Sequence, residues 1–432
     1  MKKRLFAILL ALVLSLSILP PALALEGDAS RSADMLATLG LVQGTGHGYD
    51  LDAPTTRAQA AVLLVRLSGA EKTAAAQTNR SAFRDVPTWA ARSVNYAAKQ
   101  GWIKGITETV FSPNEAITAD AWFTMLLRVL GYSDTRSDFS YDDAAVFARR
   151  IGLASKDYVG PMTRGAVFES MSDALFFRYN GQEHTVLENL LQKNAVPAHA
   201  VQALGLTQER LTARQIADRY MAAVFCISDY DTQEKLDVND ASANASGFFI
   251  SPDGLAVTNY HSIDGTPLAT VTLVTGESYP IESVIYYDKK IDIAVVKVSK
   301  TSLEDQTTSA FAYLEVVGTG SIRPGDVVYT LGNPLGLGLA ISNGIISDIA
   351  RDVERYALPC VMNTADISQG SSGGALLNEL GQVIAVTSGA YTNGNNMYLA
   401  VPADPVLTAD LTGKGLTLSK VAQLEAVEES KA

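Results

Sequence analysis

Near Met221 the hydrophobic period of the chain changes, and that change limits what it can fold into. Before it, apolar residues recur three and four positions apart, as in residues 56–67 (TRAQAAVLLVRL). After it they come in short runs separated by glycine and polar turns. The first spacing lays apolar residues on one face of a helix, and short runs of this kind suit strands buried in a barrel or sandwich. A chain of 432 residues that is 47% hydrophobic has material for more than one core. The expectation is a mostly helical N-terminal part followed by an all-β part, each with its own core.

The helical part repeats itself. Residues 32–39 and 56–67 read as a helix pair with Thr55 or Thr56 as a cap, and residues 89–101 and 117–130 as a second pair, with Thr118 capping its second helix. Residues 111–114 (Phe-Ser-Pro-Asn) form the turn between them, and residues 142–150 and 162–176 repeat the arrangement less cleanly. A period of roughly 55 to 60 residues implies units that bury their faces against one another. The middle unit has Phe83-Arg84-Asp85-Val86 at its start, Gly101-Trp102-Ile103-Lys104-Gly105 after its first helix, and Phe111-Ser112-Pro113 before Ile117-Thr118. These segments resemble an S-layer homology (SLH) module. The family's Thr-Arg-Ala-Glu-like helix start is similar to Thr56-Arg57-Ala58-Gln59 and Thr163-Arg164-Gly165-Ala166, whereas the middle unit departs with Ala119-Asp120. The resemblance implies attachment to cell-wall polysaccharide, with Arg57, Asp85, Trp102 and Arg164 near the sugar. The alternative is that Trp102 packs a core and the two arginines solvate helix starts.

Among the residues that can do chemistry, the four histidines are unequal. His47, His184 and His199 lie in the helical part or after it, and His261 alone ends a strand-like run, Leu255-Ala-Val-Thr-Asn-Tyr-His261. A serine hydroxyl is a weak nucleophile that needs an adjacent base, and the base needs an orienting acid. Ser372 sits in Gly370-Ser371-Ser372-Gly373-Gly374, where glycines let the backbone turn tightly, and Asp292 opens the strand-like run Asp-Ile-Ala-Val-Val-Lys-Val. In an acyl-transfer site the N–H groups of Gly370 and Ser372 would form the oxyanion hole. A flexible glycine turn, a structural histidine and a turn-capping aspartate are the plain alternatives for each residue alone. The order His261, Asp292, Ser372 matches the chymotrypsin-type triad.

Around these residues stand Ser246-Gly247-Phe248-Phe249-Ile250, the turn Ser251-Pro252-Asp253-Gly254, Thr258-Asn259-Tyr260-His261, Asp292-Ile293-Ala294-Val295 and Gly332-Asn333-Pro334. With the serine loop they resemble the HtrA/Deg-like branch of the trypsin-like serine peptidases. The resemblance spans about residues 212–402 and implies a chymotrypsin-like double β-barrel with the active site in the cleft between barrels. It also implies hydrolysis of protein or peptide substrates without a cofactor. The residue before the nucleophile is Ser371 rather than asparagine, and Ala375 replaces a proline; neither supplies the reacting group. About thirty residues follow Pro402, too few for the branch's usual PDZ domain, so PDZ-regulated trimers are not carried over. In trypsin-like enzymes the residue six positions before the nucleophile floors the specificity pocket, here Asp366, which would favour arginine or lysine. The branch usually accepts small aliphatic residues instead, with Asp366 turned away.

Residues 1–24 carry Lys2, Lys3 and Arg4, an apolar run and then Ala22-Leu23-Ala24, the pattern of a secretory signal peptide; an uncleaved membrane anchor is the alternative. The formal net charge of −12 argues against a nucleic-acid partner. Cys226 and Cys360, far apart and each with apolar neighbours, are two buried thiols or one bridge, and no cysteine pair has metal-ligand spacing. The expected organisation is a signal peptide (1–24), modules at 25–78, 79–137 and 138–182, a connector (183–211), a peptidase domain (212–405) and a tail (406–432). Export to the cell wall or outer surface follows from the signal and the modules. The competing functions are a catalytically inactive wall-binding interaction protein, and an esterase, which would need a Gly-x-Ser-x-Gly elbow in a strand-turn-helix setting that is missing.

Overall fold

The computed structural model describes residues 28–77, 82–182, 184–206, 210–391 and 395–429. The segment expected to be a signal peptide lies outside the described residues, and no described helix is long and apolar enough to cross a membrane. The helices begin where the sequence supplies caps. Thr56 accepts from the Gln59 N–H in a full capping box for Arg57–Leu67, Thr118 caps Ala119–Val129, and Thr163 caps Arg164–Ala174. The three capped segments meet one another through short bridges, Pro54 with Thr163, Thr56 with Ala116, and Thr118 with Pro161, so the repeats close into a ring rather than an open stack. Leu36, Leu64, Trp122, Phe123, Phe147 and Phe168 fill the middle of this ring.

Of the connector expected at 183–211, the described residues 184–206 belong to that helical unit, whereas Leu211 packs in a barrel core. Val186–Gln192 starts with a second capping box at Thr185, Ala198–Ala203 follows, and Val186, Leu190 and Val201 are buried in the same core as the repeats. Polar spacing and Pro197 suggested a linker, but the apolar residues at 186, 190 and 201 are what decide the packing.

After Ala213–Tyr220 the chain turns to strands: β1 (Val224–Tyr230), β2 (Ala243–Phe249), β3 (Leu255–Thr258), β4 (Leu268–Thr272), β5 (Ser278–Asp288) and β6 (Ile293–Val298). They close an antiparallel barrel in the order β1-β2-β3-β6-β5-β4. A second closed barrel, β10-β11-β12-β9-β8-β7, is built from β7 (Val327–Gly332), β8 (Ala340–Arg351), β9 (Cys360–Asn363), β10 (Ala375–Leu377), β11 (Val383–Ala390) and β12 (Tyr398–Pro402). Closure leaves neither sheet a free edge. The last segment crosses back: Leu416 pairs with Val284 on β5, and the helix Leu418–Glu429 buries Leu418 and Val421 in the core of the first barrel.

The two halves have separate apolar cores and a charged seam. Arg150, 3% exposed, closes a two-point ion pair with Glu277 of the β4–β5 turn and lies 3.6 Å from Asp143. Arg219 stacks its guanidinium 3.7 Å from the Phe176 ring centroid. Cys226 and Cys360 are both free, and burial pushes each thiol up to about 11.

Candidate active site

The triad candidates come from three different strand ends. His261 follows β3 in the 3-10 turn Tyr260–Ser262, Asp292 precedes β6, and Ser372 precedes β10 in the second barrel. Asp292 has a φ of 58°, unusual for a residue with a side chain, and the turn brings its carboxylate back toward β3. One oxygen lies 2.7 Å from Nδ1 of His261, and the other accepts the His261 backbone N–H at 2.9 Å. A carboxylate can only accept here, so Nδ1 carries the proton and Nε2 keeps its lone pair. Asn259 Nδ2 donates to the Asp292 carbonyl at 2.9 Å, which fixes the turn from the other side.

Asp292 is 3% exposed, and a buried charge of this kind requires several donors. The donor that sequence reasoning missed is Ser388 on β11. Its hydroxyl donates to Asp292 Oδ2 at 2.7 Å and is also paired with the Tyr356 hydroxyl. Its carbonyl accepts the hydroxyl of Ser372 at 3.2 Å, so Ser388 touches both ends of the constellation. Nothing in Val383–Ala390 except a serine in an apolar run could have marked it.

The serine loop is held by a second missed residue, Ser246. Its buried hydroxyl donates to the Gly370 carbonyl at 2.7 Å and accepts the Asn333 N–H at 2.8 Å, while its backbone N–H donates to the Ser372 carbonyl at 2.8 Å. Leu335 N–H donates to the Gln369 carbonyl at 2.6 Å, which explains why the Gly332-Asn333-Pro334 segment belongs with the serine loop. Gly370 and Gly373 have φ of 89° and 86°, and a Cβ on Gly373 would lie 2.1 Å from the Ser246 carbonyl oxygen. The N–H groups of Ser371 and Gly374 are used inside the loop, and that of Gly373 donates to the Thr387 carbonyl on β11 at 2.8 Å. Among the described residues, the N–H groups of Gly370 and Ser372 donate to no protein acceptor.

The other sequence candidates are placed differently. Asp366 is exposed and accepts a hydrogen bond from the Tyr398 hydroxyl. Arg57 donates to the carbonyls of Phe111 and Lys104, Arg164 to that of Tyr49, and Asp85 accepts the N–H groups of Phe111 and Ser112. Trp102 is half-buried against Tyr96 and lines a cleft of about 330 Å³ with Lys104, Arg128 and Arg136. Arg128 holds the Asp134 carboxyl in that cleft down at about 2. Among the described residues no cluster of histidine, cysteine or carboxylate side chains has metal-binding geometry.

Residues 245–386 match the trypsin-like peptidase domain family, and residues 82–118 match the S-layer homology domain family. A probable periplasmic serine endoprotease DegP-like of Chlamydia pneumoniae is 35% identical over 162 residues, covering 37% of this chain and 31% of that protein. Serine protease HTRA1B of Danio rerio is 30% identical over 190 residues, covering 42% of this chain and 38% of its own. The chain thus spans about a third of the length of these relatives. The solved HtrA-type protease AlgW with tripeptide is 24% identical over 46% of this chain and 62% of its own, with a TM-score of 0.40; the double-barrel assignment rests on strand order instead. The chain therefore carries one segment similar to the S-layer homology domain and, after it, one similar to the trypsin-like peptidase domain of HtrA- and DegP-like proteases.

Proposed function

We propose that the chain is a serine endopeptidase acting through His261, Asp292 and Ser372, exported and held at the cell wall by its helical modules. The observation that carries the peptidase reading is the pairing of a buried, hydrogen-bonded Asp292–His261 couple with the two unused N–H groups of Gly370 and Ser372. Ser372 Oγ transfers its proton to Nε2 of His261 as it attacks the scissile carbonyl, and Asp292 stabilises the imidazolium. The oxygen of the tetrahedral intermediate takes the N–H groups of Gly370 and Ser372, a pair of donors worth about 3 to 4 kcal/mol each where such sites have been dissected. His261 then gives the proton to the leaving amine, and water repeats the sequence on the acyl-enzyme. The hydroxyl of Ser372 must leave the Ser388 carbonyl for His261 in this scheme. Casein hydrolysis by the full chain, lost in Ser372→Ala, is the expected result; equal hydrolysis by the variant would refute it.

The peptidase domain is proposed to run over 212–405, with modules at 25–78, 79–137 and 138–182. Attachment is supported by the SLH match and by the aromatic, basic cleft at Trp102, Lys104, Arg128 and Arg136. Arg57, Asp85 and Arg164 serve it by ordering the loops, since their polar atoms are engaged with backbone. The helical unit should sediment with wall sacculi that retain their polysaccharide and stay in solution with stripped ones. For cleavage specificity the bond from Tyr398 to Asp366 favours small aliphatic residues over basic ones, because the carboxylate already has a partner. Enrichment of arginine or lysine in a peptide-library profile would reverse that preference.

A further inference from the structure

The C-terminal helix Leu418–Glu429 carries a glutamate that its packing alone does not require. Glu425 is 4% exposed, although a helix anchored by Leu418 and Val421 could bury an apolar residue there at lower cost. Its carboxylate instead accepts the hydroxyl of Tyr260 and lies 2.9 Å from the ammonium of Lys289. Both partners adjoin the triad candidates. Tyr260 directly precedes His261 in the same 3-10 turn, and Lys289 lies three positions before Asp292 in the β5–β6 connection.

The surrounding contacts tie the same two segments together. Lys289 lies 5.7 Å from the Tyr260 ring centroid, Tyr287 stacks on that ring at 5.4 Å, and the Tyr260 hydroxyl also reaches Asp264 at 2.9 Å. Ser419, nearly two turns before Glu425 on the helix, donates to the Pro267 carbonyl at 3.1 Å, beyond the histidine turn. One carboxylate therefore sits between the chain segment that presents the base and the one that presents its acid. A side chain at this place acts on chemistry through geometry, because small displacements of a base from its partner lower rates steeply.

We propose that Glu425 is a positioning residue for the His261–Asp292 couple, gripping Tyr260 and Lys289 so that the last helix of the chain sets the alignment of the site. The proposal rests on the peptidase reading for its consequence in rate, but the alignment itself can be observed without catalysis. The Nδ1 proton shared by His261 and Asp292 gives a low-field proton resonance, which reports their hydrogen bond directly.

In the full chain, Glu425→Ala is expected to shift or broaden that resonance and to slow labelling of Ser372 by a fluorophosphonate about tenfold. Tyr260→Phe should do the same more weakly, and the double variant should be no slower than Glu425→Ala, since the two residues act through one contact. Val421→Ala loosens the same helix without touching Tyr260; it should lower the melting temperature while leaving the resonance in place and labelling within about twofold. The proposal is overturned if Glu425→Ala leaves the resonance unmoved, or if Val421→Ala moves it equally. A resonance that moves in Glu425→Ala while Ser372 takes no label in the unaltered protein would refute the peptidase reading and leave the positioning role standing.

Discussion

In the helical unit the motif side chains close on the backbone of their own fold, whereas where elements of the two barrels meet around Ser372 they converge and leave hydrogen-bonding capacity unused. Arg57 and Arg164 donate to carbonyls, and Asp85 accepts two N–H groups. Around Ser372 the arrangement is the opposite. His261 Nε2 keeps its lone pair, and among the described residues the N–H groups of Gly370 and Ser372 have no protein acceptor. The difference teaches that a motif residue earns a functional reading from what its polar atoms still lack. Repeats preserve such residues because a loop needs them, while a reactive site holds donors and acceptors ready for something absent.

The largest expected effect sharpens the barrel side of this contrast. Asp292→Asn keeps the shape but presents an amide to Nδ1, favouring the wrong tautomer of His261, and should lower casein turnover by about ten-thousand-fold. Retention of most activity would mean that the buried carboxylate is structural. The second test addresses the seam. Glu277→Gln leaves the buried Arg150, among the described residues, with Asp143 at 3.6 Å as its one ion-pair partner, and should cost about 4 kcal/mol in denaturant unfolding. No loss would mean that the two halves are merely tethered.

A smaller effect tests whether every unsatisfied polar group near the barrels is functional. Burial, with a lesser contribution from Asp231, pushes the Asp229 carboxyl up from 3.8 to about 7, and its Oδ1 has no hydrogen-bond partner among the described residues. A folded-state value above the unfolded one means that the native state holds a proton the unfolded chain has released. Stability therefore falls as pH rises from about 4 to about 7 and changes little outside that window on this account. Asp229→Asn should stabilise the fold by about 4 kcal/mol at pH ~8 and hardly at all at pH ~4, with activity unchanged. A variant as pH-sensitive as the parent would remove Asp229 from the balance.

Much of this was legible in the residues. The change of period near Met221 marks the passage from helices to strands, Thr56, one of two cap candidates, and Thr118 stand where two helices start, and the similar segment from Thr163 starts a third. Other parts were hidden for physical reasons. The strand Ala375–Leu377 is three residues long, too short for a period, and Ser278–Asp288 is interrupted by register shifts that break the alternation. Ser388 and Glu425 act through contacts with residues more than ninety positions away that no local pattern marks, and Ser246, although it heads a family-like segment, has its partner Gly370 124 positions away. The final helix read as a tail because its partners, Tyr260 and Val284, are known only once the first barrel has closed.

The central claim is that Ser372 is a nucleophile activated by this constellation. Labelling of the full chain with a fluorophosphonate, followed by digestion and mass mapping of the adduct, tests it most directly. The account predicts one adduct per chain on the peptide containing Ser372, abolished in Ser372→Ala and strongly slowed in Asp292→Asn. An adduct on another residue, or one that persists in Ser372→Ala, would contradict it.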